Sequence, residues 1–145
     1  MFKAENIAKQ YSIDRKEQDE FAVESQKKTD NAQKLNLFNK EIVPVTVKIR
    51  RDTVTIAKDE FPRPETTFEG LSKLRPVFLK EGGTVTAGNA SGINDGAAAV
   101  ILTSRKVAES KNIKPLAKIV GWAQAGVDPK IMGIGPVPAV KKLVS

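Results

Sequence analysis

The stretch from Gly82 to Thr103 constrains the fold of this chain more than any other. Residues 82–96 read Gly82-Gly83-Thr84-Val85-Thr86-Ala87-Gly88-Asn89-Ala90-Ser91-Gly92-Ile93-Asn94-Asp95-Gly96 and hold half of the ten glycines in the chain. Glycine reaches left-handed backbone conformations and lets main-chain amides approach a ligand closely. Directly after it, Ala97 to Thr103 is a near-continuous apolar run, the pattern of a strand buried on both faces. Such a strand needs neighbours on either side, which points to an α/β layer. The loop is not a phosphate-binding P-loop, since no Lys-Ser/Thr follows a glycine at the required spacing. Nor is it a G-x-G-x-x-G turn opening a helix. It reads either as a ligand loop or as a tight connection, with Asn94-Asp95-Gly96 turning the chain into the strand.

The flanking segments have their own signals. Residues 4–11 show a short helical pattern, and Asp14 with Glu17 has the spacing of a capping box opening a longer helix. Ala22, Ser25, Thr29 and Ala32, with Phe21 beside them, form a narrow face of small residues on that helix, which should fray by Asn36 to Asn39. Glu41 to Lys48 is rich in β-branched residues and reads as a strand that Pro44 pushes toward an edge or bulge. Arg50-Arg51-Asp52 is a turn, with Val54-Thr55-Ile56 as the partner strand. Asp59 to Pro64 is a loop, and Thr66 with Glu69 repeats the capping spacing ahead of a short helix ending near Leu74. Ser104 caps a helix through about Lys111, and Leu116 to Gln124 is a second strand. Pro136 and Pro138 suit a helix start. The chain stops at Ser145 after about two helical turns, and so reads as a segment whose continuation lies elsewhere.

Two absences narrow the chemistry. The 145 residues include no cysteine and no histidine. Disulfides, thiolate metal sites, cysteine nucleophiles and a histidine base near neutral pH are thereby excluded from this chain. The formal charge is +7, yet the lysines are scattered and the aromatic residues are not interleaved with them as a nucleic-acid stacking platform requires. A solvated basic surface, or attraction to an anionic cofactor, fits better. No apolar run reaches bilayer-spanning length and the N-terminus lacks a signal-peptide core, so a cytoplasmic protein is expected.

The pairs Asp19-Glu20 and Asp59-Glu60 read as solvated surface rather than as an acid/base dyad. Trp122 and Met132 read as core. Arg63, set in a loop between two prolines, is either an ordinary surface arginine or a fork presented to phosphate oxygens.

The run Thr84-Val85-Thr86-Ala87-Gly88-Asn89-Ala90-Ser91-Gly92-Ile93-Asn94-Asp95-Gly96-Ala97-Ala98-Ala99 closely resembles the mid-chain signature of thiolases. Ala4-Glu5-Asn6, Arg15-Lys16-Glu17-Gln18-Asp19 and Glu41-Ile42-Val43-Pro44-Val45 resemble that family's loop domain. Gly126-Val127-Asp128-Pro129 and Met132-Gly133-Ile134-Gly135-Pro136 resemble the family's continuation beyond the signature. The similarity covers the whole chain, in order.

This resemblance implies an incomplete α/β, thiolase-like αβαβα fold. Residues 1–92 would be most of the loop domain, 93–125 the returning strand, helix and strand of the N-terminal half, and 126–145 the start of the C-terminal half. The reaction implied is the reversible joining of two acetyl-CoA into acetoacetyl-CoA and CoA, by an acetyl-CoA C-acetyltransferase. In that family two cysteines and a histidine carry the chemistry, so no catalytic residue is expected here and the chain alone should be inactive. No metal and no covalent cofactor are implied; coenzyme A and acetyl-CoA enter as substrates.

The resemblance also implies a coenzyme A surface. Ser91 matches a serine beside the pantetheine, with Ala90 and Gly92 lining the same channel. Arg63 matches an arginine near the adenine and phosphate end. Phe78 and Met132 match residues lining the pantetheine tunnel and acyl pocket, and Met1 a pocket methionine. Phe2 stands where the family usually has glycine, and Gly70 replaces a common serine contact. The implied partners are the remaining thiolase segments in a homodimer or tetramer, with no nucleic acid and no membrane. The alternative is a stand-alone CoA-binding or oligomerisation module without catalysis.

Overall fold

The computed structural model describes residues 2–145. Its longest element is α2, Arg15–Lys34, which packs on the helix at Phe68–Ser72 and is hydrogen-bonded to the chain at Asp59, Arg63 and Asn89. The helix starts where the local chemistry dictates. The Asp14 carboxylate accepts from the Glu17 amide at 2.8 Å and the Glu17 carboxylate accepts from the Asp14 amide at 3.0 Å, a reciprocal cap that satisfies two otherwise orphaned N–H groups. Ahead of it lies α1, Phe2–Tyr11. A turn at Ser12, at φ 55°, in which the Ile13 amide donates to the Ala8 carbonyl at 2.9 Å, ends α1 and separates the two.

The expected stripe of small residues on α2 holds in part: Ala22, Thr29 and Ala32 are half-buried, as is Gln26, while Ser25 is exposed and Phe21 points to solvent at 78% exposure; the fully buried positions are Asp19 and Val23. The face that packs is partly polar, because its partners are loops with main-chain groups to satisfy rather than an apolar sheet.

Strands β1, Val45–Ile49, and β2, Asp52–Ile56, form an antiparallel hairpin in which Val45 pairs with Ile56 and Ile49 with Asp52. The two-residue connection is made by Arg50, at φ 55°, and Arg51, the positive φ matching the twist of paired strands. β1 begins at Val45 rather than near Glu41 because Pro44 has no N–H to give to a ladder.

Helix α3, Phe68–Ser72, is capped by Thr67, whose hydroxyl accepts from the Gly70 amide at 3.1 Å. The expected cap, Thr66, instead donates to the Arg63 carbonyl at 2.7 Å and closes the preceding loop. Helix α4, Arg105–Ser110, begins on Ser104 as its sequence signals. A kinked 3₁₀ segment, Pro129–Ile134, leads into α5, Pro136–Val144. The 3₁₀ segment packs on α1, with the Asn6 amide donating to the Lys130 carbonyl at 3.0 Å.

The strands expected over residues 97–103 and 116–124 do not form. Among the described residues the only sheet is the β1–β2 hairpin. Ile101 is 96% exposed, Val120 90% and Trp122 78%, so the expectation of Trp122 as core fails as well. A strand is stabilised by ladder partners and by cover on its faces; among the described residues neither segment has a ladder partner, and the approach of Leu143 of α5 to Gly121 leaves the neighbouring Val120 and Trp122 exposed.

Candidate functional site

The loop at residues 84–92 is held from two helices by buried carboxylates. From α1, Glu5, only 5% exposed, accepts from the Thr84 amide at 3.0 Å, the Thr84 hydroxyl at 2.8 Å and the Val85 amide at 3.0 Å. Burial by itself pushes the Glu5 carboxyl pKa up, but the hydrogen bonds from Val85 and Thr84 outweigh it and the net pKa lies below the ordinary glutamate value. The carboxylate is therefore the bound form.

From α2, Asp19, 1% exposed, accepts from Asn89 Nδ2 at 2.9 Å and from Arg15 Nε at 2.8 Å. Arg15 Nη2 reaches on to the carbonyls of Leu71 and Leu74 at 2.6 and 3.1 Å, closing the C-terminal end of α3. Asn89 folds the loop on itself. Its Oδ1 accepts from the Thr86 amide at 2.7 Å and its Nδ2 donates to the Thr84 carbonyl at 2.9 Å. Thr86, fully buried, accepts through its hydroxyl from the Gly88 and Asn89 amides at 3.2 and 3.3 Å. Gly88 lies so close to α3 that a Cβ there would stand 2.7 Å from Leu74 Cδ1 and nearer still to Leu71. Among the described residues every buried side-chain polar atom has a partner.

Beyond this anchor the chain opens into Ala90, half-buried, then Ser91 and Gly92, both exposed. The Arg63 loop comes up beside them. A Cβ on Gly92 would lie 2.7 and 2.8 Å from two ring carbons of Phe61, so the glycine permits this approach. The Arg63 amide donates to Gln26 Oε1 of α2 at 2.8 Å, and Arg63 Nη1 turns back to the carbonyls of Glu60 and Phe61 at 3.0 and 3.1 Å. One arm of the guanidinium thus shapes its own loop, while Nε and Nη2 make no hydrogen bond among the described residues. The Arg63 loop and the segment ending at Gly92 thus meet where Phe61 lies against Gly92.

Phe78 and Met132 form a second group at the first turn of α1. The Phe78 ring packs on Phe2 with centroids 5.8 Å apart, and Met132, 57% exposed rather than core, accepts from Lys3 Nζ at 3.1 Å. Phe2 therefore occupies space beside Phe78. Met1 lies outside the described residues. At Gly70, a Cβ would approach Thr67 Oγ1 to 3.2 Å, so a bulkier residue would crowd the α3 cap.

Sequence reasoning missed the buried carboxylates. Asp19 belongs to a pair read as solvated, and only its neighbour Glu20 is exposed. The available signal was Arg15 four residues before Asp19, the spacing that stacks an ion pair on one helix face. The reading of Asp59 and Glu60 as surface residues holds, since both are exposed. Among the described residues no group of histidine, cysteine and carboxylate side chains is placed to hold a metal, and no helix is long and apolar enough to cross a membrane.

These features define a mixed helix-and-strand protein whose candidate site is a loop surface, braced from beneath by two helices and containing no nucleophile or general base of the cysteine–histidine kind. The profile of the thiolase N-terminal domain matches residues 2–106, and the chain belongs to the thiolase family. It is 52% identical over 143 residues to the cytosolic acetyl-CoA acetyltransferase of Rattus norvegicus, covering 98% of this chain and 36% of that protein. It is 55% identical over 138 residues to the beta-ketothiolase BktB of Cupriavidus necator, covering 95% and 35%. The Bacillus anthracis acetyl-CoA acetyltransferase superposes with a TM-score of 0.88 at 51% identity, over 98% of this chain and 36% of that one. The human mitochondrial 3-ketoacyl-CoA thiolase in complex with CoA superposes with a TM-score of 0.85 at 47% identity, over 99% and 35%. The chain thus spans about a third of the length of the relatives it matches.

Proposed function

We propose that this chain supplies the coenzyme A-facing loop surface of an acetyl-CoA C-acetyltransferase, and that it performs no catalysis alone. The observation that carries the proposal is the convergence of the Arg63 loop and the Ala90-Ser91-Gly92 segment, with Phe61 lying over Gly92. A glycine that faces a loop carrying a guanidinium with two donor nitrogens uncommitted suits a ligand with a slender amide-bearing arm and an anionic end. Coenzyme A has that form. Ser91, Ala90 and Gly92 would flank the pantetheine, Arg63 would face the phosphate end, and Phe78 and Met132, with Met1, would border the acyl group.

In the reaction so assigned, a thiolate would attack the thioester of one acetyl-CoA and take its acetyl group, with CoA leaving. A base would then remove a proton from the methyl group of the second acetyl-CoA, and the resulting carbanion would attack the acetyl-thiolate thioester, giving acetoacetyl-CoA and releasing the thiolate. With no cysteine and no histidine in the chain, those groups would come from other thiolase segments. Residues 1–92 would then be most of the loop domain, 93–125 part of the N-terminal half and 126–145 the start of the C-terminal half. The apolar segments at 97–103 and 116–124 would be covered by the remaining thiolase segments, in a cytoplasmic dimer or tetramer.

A chimera provides the test. This chain replaces the segment it matches in the Bacillus anthracis acetyl-CoA acetyltransferase, and thiolysis of acetoacetyl-CoA is followed. Turnover by the chimera and none by the chain alone is expected. A folded but inactive chimera would overturn the assignment. Saturable binding of CoA to the chain alone, measured by calorimetry, would favour a stand-alone binding module instead.

A further inference from the structure

We infer that Asn89, held by Asp19 and Arg15, is the positioning residue that sets Ser91 against its ligand, an inference resting on the coenzyme A reading above. Asn89 lies two residues before Ser91, and its amide is fully engaged. Oδ1 takes the Thr86 amide at 2.7 Å, and Nδ2 gives to the Thr84 carbonyl and to Asp19 Oδ1, both at 2.9 Å. These bonds fix which way the chain leaves the buried loop, so the exposed Ala90-Ser91-Gly92 segment starts from a defined direction.

The fixing point is itself braced. Asp19 cannot turn to another rotamer without leaving Arg15 Nε at 2.8 Å. Arg15 in turn is held by the Leu71 and Leu74 carbonyls. Side-chain orientation thus passes from the end of α3 through Arg15 and Asp19 to Asn89. Ser91 stands at the end of this path, exposed and with no side-chain hydrogen bond of its own among the described residues. A group that binds a flexible arm gains affinity when its direction is set in advance.

The test uses the active full-length chimera, with CoA as the thiolysis substrate. Asn89→Ala is expected to raise KM for CoA about tenfold, the equivalent of one charge-assisted hydrogen bond, while kcat stays within about twofold of the parent. A merely structural role would instead lower kcat through loss of folded enzyme and leave KM unchanged; that result overturns the inference. Ser91→Ala should raise KM to a similar degree. In the double variant the two effects should not multiply, because Asn89 acts through Ser91. Multiplicative effects would show that Asn89 acts elsewhere and would likewise overturn it.

The exchanged pair Asp19→Asn with Asn89→Asp gives an independent check. Asn89→Asp alone sets two carboxylates against each other across the 2.9 Å contact. The pair restores one donor and one acceptor there, although the carboxylate introduced at position 89 still meets the Thr84 carbonyl where the amide once donated. Partial recovery of KM over Asn89→Asp alone is expected, and no recovery overturns the inference. An inactive parent chimera would sink the coenzyme A reading itself, and is thereby distinguished from failure at Asn89.

Discussion

Removing Glu5 should release Thr84 and Val85 while leaving Thr86 in place. The Glu5 carboxylate takes three donors from the two residues, and the adjoining Val85 is 6% exposed. Glu5→Ala leaves all three without an acceptor. At ~1–3 kcal/mol for each unsatisfied buried donor the simple sum is too large, because Thr84 is half-buried and water can reach part of the space. We expect a loss of about 3 kcal/mol at this site, the upper end for a single donor. Glu5→Gln keeps one carbonyl oxygen for the amides and a donor that the Thr84 hydroxyl can accept. It loses only charge assistance, about 1–2 kcal/mol. The assay is amide hydrogen exchange, residue by residue. Protection at Thr84 and Val85 should fall about a hundredfold in the alanine variant and about tenfold in the glutamine variant. The Thr86 amide, bound to Asn89 Oδ1, is the internal reference. The sign with pH follows from the lowered pKa. The clamp is fully present above the ordinary glutamate pKa and is lost as pH falls through the lower folded-state value. The gap between wild type and Glu5→Gln should therefore close in acid. Equal loss at Thr86, or no loss at Val85, would refute this account of the clamp.

Three further outcomes are expected. Gly88→Ala places a methyl group against Leu71 and Leu74 and should destabilise the loop by ~1–3 kcal/mol, read as faster exchange at the Asn89 amide; unchanged exchange would mean the contact is slack. Asp14→Ala removes one half of the capping box at α2 and should cost ~0.5–2 kcal/mol, read as reduced helicity by circular dichroism on heating; an unshifted melt would count against it. The chain on its own should bind the dye ANS strongly at neutral pH, because Ile101, Leu102, Leu116, Val120 and Trp122 are all more than 70% exposed; weak dye binding together with a sharp cooperative melt would contradict that expectation.

What the sequence made legible was whatever is decided within a few residues. The Asp14–Glu17 box closes over three positions, and β1 and β2 are joined by two residues, so propensity and turn geometry suffice. Asp19 was not legible because its burial is set by Asn89, 70 residues away, while its neighbour Glu20 lies about 100° round the helix and faces water. Thr66, three residues before Glu69, has the capping spacing, and Thr67 offers the same hydroxyl one residue later. The structure separates them by giving Thr66 the Arg63 carbonyl. For the site, the glycine-rich run signalled a close approach, yet the identity of what approaches Gly92, the Phe61 ring, depends on how α2 holds the Arg63 loop.

The two failed strand expectations have a different origin. A continuous apolar run states a demand for burial, and the composition of residues 97–103 states it plainly. Whether the demand is met depends on strands and helices that must come from outside the run. Residues 2–92 meet their own needs in another way. They bury two carboxylates and a threonine around a half-buried asparagine, with each buried polar atom partnered, and use only a few apolar side chains such as Ala8, Val23, Leu71 and Val85. A network of that kind is closed: covering the apolar segments beyond residue 93 would add no hydrogen bond it lacks. The geometry at Ser91 should therefore be set by Glu5, Asp19 and Asn89 whether or not those segments are covered. Exchange protection at Thr84, Val85 and Thr86 should then be similar in the chain alone and in the chimera, while ANS binding falls. If protection appears only in the chimera, the loop is organised by its covering rather than by its own polar clamp.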